Sequence, residues 1–176
     1  MKKVLFVDTV HPYLCEELQK EGYSCFEAYD LCEKAIIEQH NDAYGLVIRS
    51  RININSNFLS HFNKLTFIAR AGSGMENIDV NYAHSKNIHA INAAEGNKQA
   101  VAEHALGMIL SLFNNLNNAD SEVRKSIWQR EENRGIELEN KTVGIIGYGK
   151  TGKNFAKKLA GFNVKVFCND IIENIA

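Results

Sequence analysis

Apolar and polar positions follow two rhythms over the first ninety or so residues. Short apolar runs at 4–7, 23–29, 46–48, 67–69 and 88–91 read as strands. Between them lie stretches with helical spacing. Pro12 opens the first, Leu14 and Leu18 share its apolar face, and Gly22 closes it. The second covers 31–40, with Ala35, Ile36 and Ile37 turned inward. The others cover 56–62 and 80–86. Regular strand–helix alternation predicts a parallel sheet covered on both faces.

The pattern then changes. Ala102, Ala105, Leu106, Ile109, Leu112, Phe113 and Leu116 recur every three or four residues, which predicts one long amphipathic helix. Such a helix can cross between two domains or serve a partner chain. Residues 117–122 are polar and read as the end of the pattern. The last segment predicts a strand at 142–146, a glycine turn at 147–152, a helix at 154–160 stopped by Gly161, and a strand at 164–168 leading to Asp170.

The glycine turn carries the clearest chemistry. In Gly147-Tyr148-Gly149-Lys150-Thr151-Gly152 each glycine has a mechanical task. The first permits a tight turn off the strand. The second lets a pyrophosphate approach the backbone, and the third lets the helix pack closely on the strand. The helix N-terminus then offers free N–H groups and a partial positive charge to phosphates. Asp170 lies roughly 20 residues beyond the last glycine, where such folds place an acid for the ribose hydroxyls. Ile171 and Ile172 follow it, with no Arg or Lys to receive a 2′-phosphate, so the turn favours NAD over NADP. A structural turn with an incidental acid and an S-adenosylmethionine site remain the alternatives.

Composition narrows the setting. A net charge of −1 gives no bias toward nucleic acid, and no apolar run is long enough to span a bilayer. The start of the chain lacks the apolar core of a signal peptide. Cys15, Cys25, Cys32 and Cys168 form no Cys-x-x-Cys pair, which fits reduced thiols in a cytoplasmic protein. The six histidines show no metal-ligand spacing, and no metal is expected.

Four segments in order resemble the D-isomer-specific 2-hydroxyacid dehydrogenases, particularly the D-3-phosphoglycerate dehydrogenase-like members. They are 47–51 (Val-Ile-Arg-Ser-Arg), 68–79 (Ile-Ala-Arg-Ala-Gly-Ser-Gly-Met-Glu-Asn-Ile-Asp), 101–104 (Val-Ala-Glu-His), and the glycine turn with Asp170. The resemblance implies a flavodoxin-like α/β substrate domain over 1–97. A crossover helix and the first βαβ of a Rossmann NAD-binding domain would follow over 98–176. It implies hydride transfer between a D-2-hydroxy acid and NAD. It places Arg49, Ser50, Ser73 and Gly74 at the substrate, with Ser73 also near the cofactor. Gly147, Gly149, Lys150, Thr151, Gly152 and Asp170 fall at NAD. A homodimer is the implied assembly.

Two positions depart from the family pattern. Glu76 stands where members usually carry Asp, and Ala94 where they usually carry Pro. Glu103 and His104 are neighbours on one helix, point apart, and read as structural. The family's catalytic Arg, Glu and His fall beyond the equivalent of Asp170, so no catalytic residue is assigned here. The expectation is a truncated, inactive part with a poorly buried cofactor lobe. The alternative is a non-catalytic module that binds NAD or another ligand, or dimerises.

Overall fold

The computed structural model describes residues 1–172. The chain divides into two compact units, Met1–Ala94 and Glu95–Ala176. In the first, strands and helices alternate: β1 (Lys2–Phe6), α1 (Tyr13–Lys20), β2 (Tyr23–Glu27), α2 (Glu33–His40), β3 (Gly45–Ile48), α3 (Ser56–Ser60), β4 (Phe67–Arg70), α4 (Val80–Ser85) and β5 (His89–Asn92). The five strands form one sheet in the order β2-β1-β3-β4-β5, and every pairing is parallel.

The period-two rule of a strand decides the two faces. Val4 and Phe6 join Val47 on one face, packed with Cys15 and Leu18 of α1. Leu5 and Val7 point the other way and join Leu46, Ile48 and Ile68. That face is covered by Ile36 of α2, Phe58 and Leu59 of α3, and Ala83 of α4. With helices on both faces, β3 reads as a continuous apolar run and is buried at every position.

Local signals set the helix boundaries. Pro12 precedes α1, and Gly22 follows it with φ +82. The Asn55 side chain accepts from Phe58 N at 2.9 Å to start α3, and Asp79 accepts from Tyr82 N at 3.0 Å to start α4. An isolated parallel bridge joins Ile54 to Ile78, with Ile54 N donating to Asn77 O at 2.8 Å.

The second unit contains α5 (Ala94–Phe113), α6 (Leu116–Val123), β6 (Thr142–Ile146), α7 (Lys150–Leu159), a short 3-10 turn (Ala160–Phe162) and β7 (Lys165–Asn169). The strands β6 and β7 pair in parallel. Three details differ from the sequence reading. The polar stretch after Leu116 is the helix α6, entered through Asn115 in the left-handed region (φ 50). Pairs four residues apart support it: Asn118 donates to Glu122 at 3.0 Å and Arg124 to Asp120 at 2.8 Å. The crossover helix begins early, at Ala94. Helix α7 begins inside the glycine turn at Lys150, because Gly152 is compatible with a first helical turn packed on the strand.

The apolar stripe of α5 is only partly covered. Ala102 is buried, while Met108, Leu112 and the following Leu116 are exposed. In β7 every residue is exposed, and Ile146 at the end of β6 is also exposed.

Gly45 gives a direct test of the β3–β4 packing. A Cβ there would lie 2.2 Å from the Phe67 ring. Gly45→Ala is expected to cost about 1–3 kcal/mol by overpacking, read as a lower denaturation midpoint with an unchanged slope. A midpoint equal to the parent's would show that the ring moves aside freely.

Candidate functional site

In the first unit, residues from three strand ends meet at the carboxyl edge of the sheet. Asp8 follows β1, and Arg49, Ser50 and Arg51 follow β3. The loop Gly72-Ser73-Gly74 follows β4. Strand order reverses between β1 and β3, the crevice where doubly wound sheets bind ligands. There Asp8 Oδ2 accepts from Arg49 N at 2.5 Å.

The two arginines of this segment do different work. Arg51 donates to Val7 O at 2.7 Å, Ala28 O at 3.0 Å and Leu31 O at 2.8 Å, and its Nε lies 3.8 Å from Asp8 Oδ1. It fastens the ends of β1 and β2. Arg49 and Ser50 are exposed, and the Arg49 guanidinium has no hydrogen-bond or ion-pair partner among the described residues. Of the two, only Arg49 is free to grip an anion.

Arg70, one residue of the 68–79 segment, organises the edge. Its side chain is 9% exposed and every branch is engaged. Nε donates to Arg49 O at 3.0 Å, and the two terminal nitrogens donate to the Glu76 carboxylate, each at 2.8 Å. Asn77 adds Nδ2 to Arg49 O at 3.2 Å and to Ile52 O at 3.0 Å. Gly74 lies against this pair: a Cβ there would come 2.0 Å from Glu76 Oε2 and 2.8 Å from an Arg70 terminal nitrogen. The loop is held at its other side by Asn92, which donates to Ser73 O at 2.6 Å, and by Ala93 N, which donates to Gly72 O at 2.9 Å. Arg49, Ser50, Ser73 and Gly74 therefore belong to one braced edge. The Arg70 guanidinium holds the Glu76 carboxyl down at about 2.

The second unit places the glycine turn between β6 and α7. Gly147 has φ +90, and its N–H donates to Asn169 O at 2.8 Å. A Cβ on Gly152 would sit 2.1 Å from Gly147 O, so only glycine allows this approach. A Cβ on Gly149 would meet open space, which leaves room at the backbone for a ligand. Asp170 reaches back to the turn: Oδ2 accepts from Tyr148 N at 2.6 Å and Oδ1 from Ile172 N at 3.1 Å. These backbone donors, Ile172 first, lower its pKa. Lys150 starts α7, and its ammonium lies 2.7 Å from Glu95 Oε1. Thr151 is half-buried beside it.

The remaining candidates resolve structurally. Glu103 accepts from Lys158 at 3.0 Å and Gln99 at 2.9 Å, so it braces α5 against α7. His104 is exposed and joins no acid pair with it. All four cysteines are free, and burial pushes the Cys25 thiol up to about 11. Among the described residues no group of acids, histidines or cysteines can hold a metal ion, and no helix is long and apolar enough to cross a membrane.

The sequence model described as D-isomer specific 2-hydroxyacid dehydrogenase, catalytic domain, matches residues 4–175. D-3-phosphoglycerate dehydrogenase from Sus scrofa is 33% identical over 172 residues, covering 98% of this chain and 32% of the relative. The chain thus spans about a third of the length of the curated relatives it matches. The PH0520 protein from Pyrococcus horikoshii superposes with a TM-score of 0.85 at 24% identity, covering 99% of this chain and 54% of that one. D-lactate dehydrogenase from Aquifex aeolicus, solved with NAD and lactic acid, gives 0.82 at 22% identity, covering 99% and 53%. The chain belongs to the D-isomer-specific 2-hydroxyacid dehydrogenase family.

The Arg70–Glu76 pair has a defined pH signature. A carboxyl whose folded pKa is depressed from 4.5 to about 2 stabilises the fold above the higher value. That contribution is lost as pH falls through the lower one. Glu76→Gln is expected to melt below the parent at pH 7, with the gap closing as pH drops from 4.5 toward about 2. Thermal denaturation across that range checks it, and a gap independent of pH refutes it.

Proposed function

We propose that this chain supplies the substrate-gripping edge and the first cofactor-binding βαβ of an NAD-dependent oxidoreductase acting on D-2-hydroxy acids, of the phosphoglycerate dehydrogenase type. Its two units are read as the substrate and cofactor domains. The glycine turn carries the reading, because its three glycines, the N-terminus of α7 and Asp170 together fit a dinucleotide. Gly147, Gly149, Lys150, Thr151 and Gly152 would hold the pyrophosphate through backbone N–H groups and the helix terminus. Asp170 would accept from the adenosine ribose hydroxyls through lone pairs left by its backbone bonds, and its charge would repel a 2′-phosphate. When bound, the nicotinamide supplies the hydride acceptor.

On the substrate side, Arg49 presents an unpartnered guanidinium suited to a carboxylate or phosphate, and Ser50 lies beside it. The loop around Ser73 and Gly74 offers backbone N–H groups, and Ser73 would also reach the cofactor. This reading assigns binding of substrate and cofactor to these residues and places no catalytic residue among them. A non-catalytic dimerising module is the second reading. It is favoured by the exposed Met108, Leu112 and Leu116 of α5 and its continuation. Under either reading a second copy of the chain is the assigned partner, and a cytoplasmic setting suits the free thiols.

Two measurements test these assignments. Calorimetry should show NAD binding by the purified chain, weaker NADP binding, and a loss of about tenfold or more for Asp170→Ala, since hydrogen bonds to a charged group contribute roughly 1.5–3 kcal/mol. Absence of NAD binding by the parent would sink the cofactor assignment. Light scattering should show a dimer that Leu112→Glu converts to a monomer; a monomeric parent removes the partner.

A further inference from the structure

The start of α5 brings a carboxylate onto the glycine turn. Glu95 Oε1 accepts from Lys150 Nζ at 2.7 Å, and Oε2 accepts from Lys98 Nζ. Lys150 is the first residue of α7, at the helix end that favours anions. An anionic side chain of the protein itself is therefore paired with the cation of the phosphate turn.

The pairing has little value as a stability device. The side chains of Lys150, Glu95 and Lys98 are 54%, 60% and 33% exposed, and exposed ion pairs contribute little. A separate brace, Lys158–Glu103–Gln99, already ties α7 to α5 further along. The arrangement also makes exchange cheap. If Lys150 turns to another anion, Glu95 keeps Lys98 and is not left as an unpaired charge.

We propose that Glu95 is an internal stand-in for the cofactor pyrophosphate. It holds Lys150 beside the turn and yields it to an arriving diphosphate, while Lys98 retains the displaced carboxylate. This rests on the reading of the turn as an NAD site. Glu95 then acts as a selectivity residue. Any anion must displace it, and a dinucleotide has ribose and adenine contacts to offset that cost. A small inorganic anion has none. The low pKa of Glu95, about 2 and set first by Lys150 and then Lys98, keeps the stand-in charged at every working pH.

The test is a set of binding isotherms at low ionic strength on the full chain, using NAD and inorganic pyrophosphate as probes. Glu95→Gln should tighten NAD roughly twofold to fivefold, the scale of one nearby charge in a high dielectric. It should tighten inorganic pyrophosphate more, because that ion carries more charge and lacks other contacts. The gain should fade as salt shortens the screening length. Lys98→Met should weaken NAD, and this loss should vanish when Glu95→Gln is also present.

A purely structural Glu95 predicts the opposite sign, because loosening α5 from α7 would weaken NAD. If the parent binds NAD and Glu95→Gln binds it equally or less well, the stand-in is overturned and the NAD site survives. If Lys98→Met weakens NAD equally in both backgrounds, its role as the retained partner is overturned. If neither parent nor Glu95→Gln binds NAD, the cofactor reading fails and takes the inference with it.

Discussion

Every strand of the larger sheet runs in one direction, so every strand delivers its following loop to the same edge. That constraint decides where chemistry can occur. The interior must be apolar on both faces, as the fully buried β3 shows, so the candidate chemistry gathers in the loops at the carboxyl ends. Asp8, Arg49 and the Gly72–Gly74 loop meet because β1, β3 and β4 are neighbours in space, although they are far apart in sequence. In the smaller sheet the same rule puts the glycine turn after β6 beside Asp170 after β7.

Once charges gather at an edge, most of them must be spoken for. The fold uses the planar fork of arginine for this. Arg51 spends its donors on three backbone carbonyls, and Arg70 spends its own on a carbonyl and a carboxylate. A lysine could not make either set of bonds, because it is a point charge on a flexible stem. Against two fully committed arginines, the exposed Arg49 stands out as spare capacity.

The architecture was legible because it depends on local period. Strand–helix alternation gave the doubly wound sheet, and Pro12 and Gly22 marked the ends of α1 correctly. The helix α6 was missed because Leu116–Val123 has a polar sequence, and its support comes from pairs four residues apart that composition does not report. The start of α7 was missed because Gly152 normally signals a break. Here it is placed by contact with the Gly147 carbonyl. The partnerships of Arg70 with Glu76 and of Glu95 with Lys150 are tertiary facts. The replacement of Asp by Glu at position 76 was visible, but its bond to Arg70 was not. Nothing in the local pattern links positions 95 and 150.

The bond from Tyr148 N to Asp170 makes one carboxylate serve two purposes. It closes the turn, and under the proposed NAD reading it would also face the adenosine ribose, where a 2′-phosphate is admitted or refused. Anyone redesigning this protein to accept a phosphorylated dinucleotide would start by removing that charge. Replacement with alanine or arginine would also untie the Tyr148 amide and leave the turn without its fastening. Asparagine keeps an oxygen acceptor in place while discarding the charge. The order of changes is therefore set by the backbone: neutralise with the acceptor retained, and only then add a cation elsewhere.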